Sequence, residues 1–486
     1  MNEIQMTDIE RIFEEQGNNR WKIAQTTAKE RIQKLKKLRA AVVKIQDEFY
    51  EAVCQDFHKP RFEAWLSEIF PTIEEIDHTI SHLKKWMKDK SASRVFFLPT
   101  SKSSLHYEPK GHVLIFAPWN YPFLLLVNPI ISAIAAGNVI IAKPSHKTPH
   151  VSAVLVRMFK EIFPENEIAL IEGEGSEIGD KLLALPFDHV FFTGSSKVGA
   201  HIAEMAAKHH ASITLELGGK SPTILLPGIN VKKHIKQIAW GKTLNGGQTC
   251  IAPDYALCPE DKVQEFAEAF AKEIKRRFGD TEAKRHESKD FVHIVDKQAT
   301  ERHAALIKDA IAKGATQVIG GVSDVENCYT PITVLTNVTP DMEIMQSEIF
   351  GPILPIVSYK TLDEAIAFVQ SRPKPLALYI FGTNKRDIHY VLSHTTSGST
   401  CVNNTIIQIE NLEVPFGGVG MSGTGNYHGF YGFKAFSHER NIMHQKWFDV
   451  VTFFHPPYNK LGEIHRTVHK KIQNFAEKAL RFLKSM

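Results

Sequence analysis

Residues 113–143 read VLIFAPWNYPFLLLVNPIISAIAAGNVIIAK, and the fold is decided by how this stretch is divided. VLIFA (113–117) and NVIIA (138–142) are short runs rich in β-branched and aromatic residues, as in strands buried on both faces. From Tyr121 to Ala142 there are 22 residues without a charge, long enough to span a bilayer. Pro122, Asn128, Pro129, Gly137 and Asn138 break that run, and a helix followed by a buried strand explains the same residues.

Working outward, IALIEG (168–173), HVFFT (189–193) and ITLEL (213–217) repeat the strand signal, each separated from the next by a helix-compatible segment. Strands alternating with helices imply a parallel sheet covered on both faces. The expectation is an α/β, doubly wound dinucleotide-binding domain, which binds its ligand beyond the carboxyl ends of the strands. Residues 1–90 read as helices, with apolar residues three and four apart, and DKSASRVFFLPTSKSSLHYEPKG after them as a hairpin or linker arm. Beyond residue 218 the alternation is less clear: a helix around 259–278, VHIVD, a helix over 298–313, TQVIGG, PITVL and PILPIVSY. These predict a second α/β domain.

With 486 residues the chain is too long for one core, so 1–94 with 112–217 is expected as the dinucleotide-binding domain and 218–412 as the catalytic domain. A basic tail, 461–486, carries Leu461, Ile464, Val468, Ile472, Phe475, Leu480 and Leu483 at helical spacing. It predicts an amphipathic helix that packs on protein or lies at a membrane surface. A formal charge of +4, without a basic stripe outside this tail, speaks against nucleic acid. Cys54, Cys250, Cys258, Cys328 and Cys401 are scattered and without metal-ligand spacing, which fits a reducing, cytoplasmic setting and implies no metal. The acidic N-terminus does not read as a secretory signal.

Three side chains carry candidate chemistry. Cys250, in LNGGQTCIAP, follows two glycines that permit close backbone approach to a ligand; it is either an inert core thiol or a nucleophile. Glu216, in TLELGGK, ends an apolar strand, where burial would raise its pKa towards that of a general base; a solvated edge glutamate is the alternative. Asn120, in APWNYP, stands at a strand's carboxyl end as a neutral donor suited to an oxyanion, or as a turn residue. FFTGSSKVG places Gly194 and Gly199 where a strand opens into a helix, a place for a pyrophosphate.

APWNYP, IIAKPS, FFTGS, LELGGK, NGGQTC, EIFGP and VPFGGVGMSG occur in that order over about 300 residues. The chain resembles the aldehyde dehydrogenase superfamily, most closely its class 3 branch of fatty and aromatic aldehyde dehydrogenases. The resemblance implies Cys250 as nucleophile, Glu216 as general base, and Asn120 with the Cys250 amide as oxyanion donors. It implies a nicotinamide dinucleotide, NAD and/or NADP, held by Trp119, Lys143, Ser145, Gly194, Ser195, Ser196, Lys197, Val198, Gly199, Glu348 and Phe350. The implied reaction takes an aldehyde, aliphatic or aromatic, to its acid through a thiohemiacetal and a thioester, with Trp65, Leu66, Tyr121 and Ile251 in an apolar pocket. A coenzyme A-acylating enzyme is the nearest rival, and Glu216 speaks against it; a non-catalytic protein on the same fold would be free to lose all three residues. The resemblance further implies a homodimer exchanging β structure through 95–111 and 437–455. One departure stands out: where many relatives carry a glutamate after K-P-S, this chain has His146 and then Lys147, which should reduce the charge barrier to NADP.

Overall fold

The computed structural model describes residues 6–95, 98, 100–446, 455–456 and 460–485. They form two compact units, one of residues 1–86 with 108–438 and one of 87–107 with 439–486. The helical start is as expected: Met6–Ala24, Ala28–Phe57 and Phe70–Trp86 are α-helices. Thr27 caps the second with a reciprocal bond to Glu30, which satisfies two otherwise unpaired donors. Between helices, Trp65–Ile69 is a π-helical turn.

The strands, in chain order, are β1 (Lys90–Ser91), β2 (Ser101–Pro109), β3 (His112–Phe116), β4 (Val139–Lys143), β5 (Ile168–Leu170), β6 (His189–Gly194), β7 (Ser212–Leu217), β8 (Pro222–Leu225), β9 (Tyr255–Pro259), β10 (Thr316–Ile319), β11 (Thr333–Thr336), β12 (Ile353–Tyr359), β13 (Ala377–Phe381), β14 (Ser399–Val402), β15 (Gly423–Thr424) and β16 (Ser437–Gln445). The first sheet has the order β15-β7-β6-β3-β4-β5 and is parallel except for β15. The chain runs outward from β3 through β4 to β5, then returns to lay β6 on the other side of β3. That reversal opens a crevice at the carboxyl ends of β3 and β6, the position where such sheets take a ligand. Leu114, Ile141, Val190, Phe192, Leu215 and Leu217 fill one core of this sheet. The charge-free run resolves as expected into the helix Leu124–Ala136 and β4, both buried throughout. Among the described residues no helix is long and apolar enough to cross a membrane.

The second sheet has the order β10-β11-β12-β9-β8-β13-β14, parallel apart from the β10–β11 pair. One expected strand is absent. VHIVD has no ladder partner because its backbone is already engaged: His293 N bonds Phe57 O at 3.2 Å, Ile294 N bonds Cys328 O at 2.8 Å, and Val295 N bonds Gln248 Oε1 at 3.0 Å.

The smaller unit contains β1 and most of β2 and β16, in a sheet ordered β1-β2-β16, and the helix Lys460–Ser485. Of the expected exchange segments, residues 96, 97, 99 and 447–454 lie outside the described residues, as do parts of FFHPPY.

Candidate active site

Thr243 ends the helix Val231–Thr243, and the chain then turns sharply through Leu244–Gly247. Asn245, Gly246 and Gly247 adopt φ values of 53°, 62° and 74°. A side chain on Gly247 would collide with the carbonyl of Gly351, so the tight turn that presents Cys250 needs glycine there. Gln248 then locks the loop from within: its Nε2 donates to the carbonyls of Asn245 and His293, both at 3.0 Å, while its Oε1 accepts from Val295 N.

Asn120 is buried just beyond β3 and tied to the same loop. Its Nδ2 donates to Gln248 O at 3.0 Å, and its own carbonyl accepts from Asn245 Nδ2 at 2.8 Å. An amide has two N–H donors, so one remains for an oxyanion. Tyr121 OH meets Thr249 Oγ1 at 2.5 Å. Behind it Lys59, wholly buried, pairs with Glu68 at 2.7 Å and places its ammonium 4.2 Å from the Tyr121 ring centroid. Glu63 accepts from Asn245 N at 2.7 Å, and burial pushes its carboxyl up to about 7. Sequence reasoning missed Lys59, Glu63, Glu68, Asn245 and Gln248, because each acts through partners distant along the chain.

Cys250 is half-buried, and burial, with the charges of Glu348 and Glu216, pushes its thiol up to about 12. Glu216 lies at the end of β7, buried, with neither carboxylate oxygen hydrogen-bonded; burial holds its carboxyl far above the ordinary range. Burial likewise raises Glu348 to about 8. An acceptor carboxylate of raised pKa within electrostatic reach of a thiol can take its proton, or that of a water.

Cys250 lines a cavity of about 440 Å³ with Leu66, Tyr121, Leu125, Trp240, Ile251, Phe416 and Tyr427. Its outer end carries the exposed Phe70, Glu74, Ile407 and Glu410, and its inner end is apolar. The volume suits a small organic ligand. Trp65 does not line it: the π-helical turn leaves this ring exposed, packed on Phe62 and Phe70 instead.

The expected cofactor residues lie at the carboxyl ends of β3, β4 and β6 and on the segment before β12. Ser195 caps the helix Ser196–Ala207, whose first N–H groups point out beyond β6; Ser196 Oγ donates to Met421 O, and Lys197 and Val198 are exposed. A side chain on Gly194 would strike the Phe192 ring, and one on Gly199 the Leu217 side chain. Lys143 ends β4 buried, with one 3.3 Å bond from Nζ to Pro144 O, and burial lowers it to about 8. Ser145 accepts from Lys147 N. Trp119 meets Phe350 edge to face at 5.4 Å, and Glu348 lies against Gly218. An under-satisfied buried ammonium, a helix N-terminus and a glycine-lined crevice fit a dinucleotide.

A doubly wound sheet with that crevice, together with a thiol in the wall of an apolar cavity, suits a dinucleotide-dependent oxidoreductase. The chain belongs to the aldehyde dehydrogenase family, which it matches over residues 1–442. It is 43% identical to AldX of Bacillus subtilis over 90% of this chain and 98% of that one. It is 38% identical to aldehyde dehydrogenase family 3 member A2 of Mus musculus, over 85% and 84% of the two chains. The dimeric NADP-preferring aldehyde dehydrogenase of Rattus norvegicus is 37% identical over 85% and 89%. The substrate-bound structure of Staphylococcus aureus AldH superposes with a TM-score of 0.90 at 39% identity, covering 95% of this chain and 99% of that one. The chain is thus an NAD(P)-dependent aldehyde dehydrogenase of the class 3-like branch, and it oxidises aldehydes to acids.

Proposed function

We propose that Cys250 attacks the aldehyde carbon as the thiolate, its proton passing to solvent, and that Glu216 is kept as the base for the later hydrolysis. The alkoxide of the thiohemiacetal then lies against the spare N–H of Asn120 and the Cys250 amide. When bound, the nicotinamide supplies the acceptor for the hydride that leaves this carbon. What remains is a thioester on Cys250, which a water activated by Glu216 hydrolyses to the acid. In this reading Trp119, Glu348 and Phe350 orient the nicotinamide end, and Lys143, Ser145 and Gly194–Gly199 hold the adenosine and phosphates. The observation that carries this reading is the placement of Cys250 in the cavity wall, within electrostatic reach of the unpartnered Glu216 carboxylate. Turnover of decanal or benzaldehyde, followed as reduced cofactor, is expected in the native protein and absent in Cys250→Ala; turnover that survives the substitution rejects it.

The apolar inner wall favours medium- or long-chain aliphatic or aromatic aldehydes. Both cofactors are expected to serve, since His146 adds no negative charge near Lys143 and its own pKa is lowered by burial. We further infer a cytoplasmic homodimer built through residues 95–111 and 437–455, β16 standing at the edge of its sheet among the described residues. The terminal helix exposes Ile464, Val468 and Ile472, four residues apart, which supports peripheral contact with a membrane. Vesicle flotation of the full chain but not of residues 1–460 is the expected result; equal flotation rejects the contact.

A further inference from the structure

On the face of the helix Phe70–Trp86, His78 and His82 stand one turn apart, and Glu413 reaches them from the segment that follows Leu412. We propose that His78, His82 and Glu413 form a site for a late first-row divalent ion such as Zn²⁺, at the outer end of the substrate cavity. Three observations converge on it.

The first is spacing. Glu413 Oε1 lies 3.5 Å from His78 Nε2 and 3.9 Å from His82 Nε2, and the three ligand atoms fall within 4.8 Å of one another. Those gaps are long for hydrogen bonds. Ligands at ~2.0–2.1 Å from a tetrahedral zinc stand roughly 3.3 Å apart, so the two Glu413 contacts would close by about 0.2 and about 0.6 Å to admit the ion.

The second is ring orientation. His82 Nδ1 lies 2.9 Å from His78 O and 2.8 Å from Ser81 Oγ, which leaves Nε2 as the ring nitrogen on the side of Glu413. This backbone bond fixes the ring in the way that orients metal-bound imidazoles.

The third is donor chemistry. Two imidazoles and one carboxylate suit zinc, nickel, copper or cobalt better than calcium or magnesium, and positions remain open for water.

The location gives the site a consequence. Phe70, Pro71 and Glu74 precede His78 on its helix, Ile409, Glu410 and Leu412 precede Glu413, and all six line the cavity. An ion bridging the two segments would fix the outer wall without touching Cys250. Trp86 stacks on His82 with ring centroids 5.8 Å apart and an angle of 19°, so its fluorescence reports on the site.

The test is a titration of chelator-treated full-length protein with Zn²⁺ alone, by equilibrium dialysis and tryptophan emission, beside His78→Gln/His82→Gln and Glu413→Gln. The histidine variant is expected to bind one fewer Zn²⁺ per chain and to lose the saturable emission change, and Glu413→Gln to weaken binding at least tenfold. His82 and Glu413 are partly exposed, so melting without zinc should match the native protein and verify folding. Equal stoichiometry and an equal emission change in the folded histidine variant overturn the site. Zinc binding is read without aldehyde or dinucleotide, so its failure leaves the oxidation mechanism untouched.

Discussion

The Asn245 side chain donates to the main-chain carbonyl of Asn120 at 2.8 Å, and so binds the segment after β3 to the loop that carries Cys250. The proposed oxyanion donor Asn120 follows a strand of the first sheet and the proposed nucleophile Cys250 precedes a strand of the second, and their separation rests on this bond together with that from Asn120 Nδ2 to Gln248 O. Asn245→Ala is expected to lower kcat/KM by about 10- to 100-fold, mostly in kcat, since small misplacements of reacting groups are costly. Steady-state kinetics beside a melting curve checks it; an unchanged kcat would remove Asn245 from the positioning role.

The Cys250 thiol should be unreactive at rest. Burial first, then Glu348 and Glu216, push it up to about 12, and a raised pKa means less thiolate at any given pH. Alkylation by iodoacetamide without cofactor is therefore expected to climb with pH beyond 10. Glu348→Gln removes a negative neighbour and should move the profile to lower pH. A plateau near pH 9 in the native protein would show that the thiol is not perturbed.

Cofactor choice should depend on Lys147. Its ammonium lies 2.6 Å from Asp296, which offsets part of the positive charge beside His146. Asp296→Asn frees that charge and is expected to raise the NADP-to-NAD ratio of kcat/KM roughly three- to tenfold, while Lys147→Ala lowers it by a similar factor. Ratios unmoved by both substitutions would place Lys147 outside the ribose-phosphate region. A native preference for NAD above about a hundredfold would reject dual use altogether.

Glu75 gives stability a pH dependence of known sign. It is buried, its Oε2 lacks a hydrogen-bond partner, and burial pushes it up to about 7. The folded state thus holds this proton more tightly than the unfolded state, so the stabilisation is full below about pH 4.5 and is lost as pH rises through 7. Glu75→Gln should be more stable than the native protein at pH 8, by on the order of 3 kcal/mol, and no more stable at pH 4.5. Melting at the two pH values checks it; a constant difference would contradict the assignment.

Much of this was legible in residue order. The strands β3 to β7 and the buried helix Leu124–Ala136 follow from runs of apolar residues interrupted by proline and glycine, because those residues meet only local demands. Cys250, Glu216 and Asn120 could be singled out for the same reason: each sits beside glycine, or at a strand end. VHIVD shows where such reasoning stops. Its composition suits a strand, yet the Gln248 side chain takes the backbone bonds that a ladder would use. The support from Lys59, Glu63 and Glu68 was equally hidden, since each meets its partner only after the chain has folded, Glu63 reaching Asn245 from 182 residues away. Trp65 turned outward through a π-helical turn that no periodicity announces.

The central claim is that Cys250 carries the acyl group and Glu216 releases it. Its most direct test is intact-mass spectrometry of Glu216→Gln after one turnover with decanal and oxidised cofactor, followed by peptide mapping. The account predicts a decanoyl adduct on the peptide containing Cys250, with reduced cofactor formed in equal amount. Reduced cofactor and free acid appearing at the native rate, with no adduct, would contradict it.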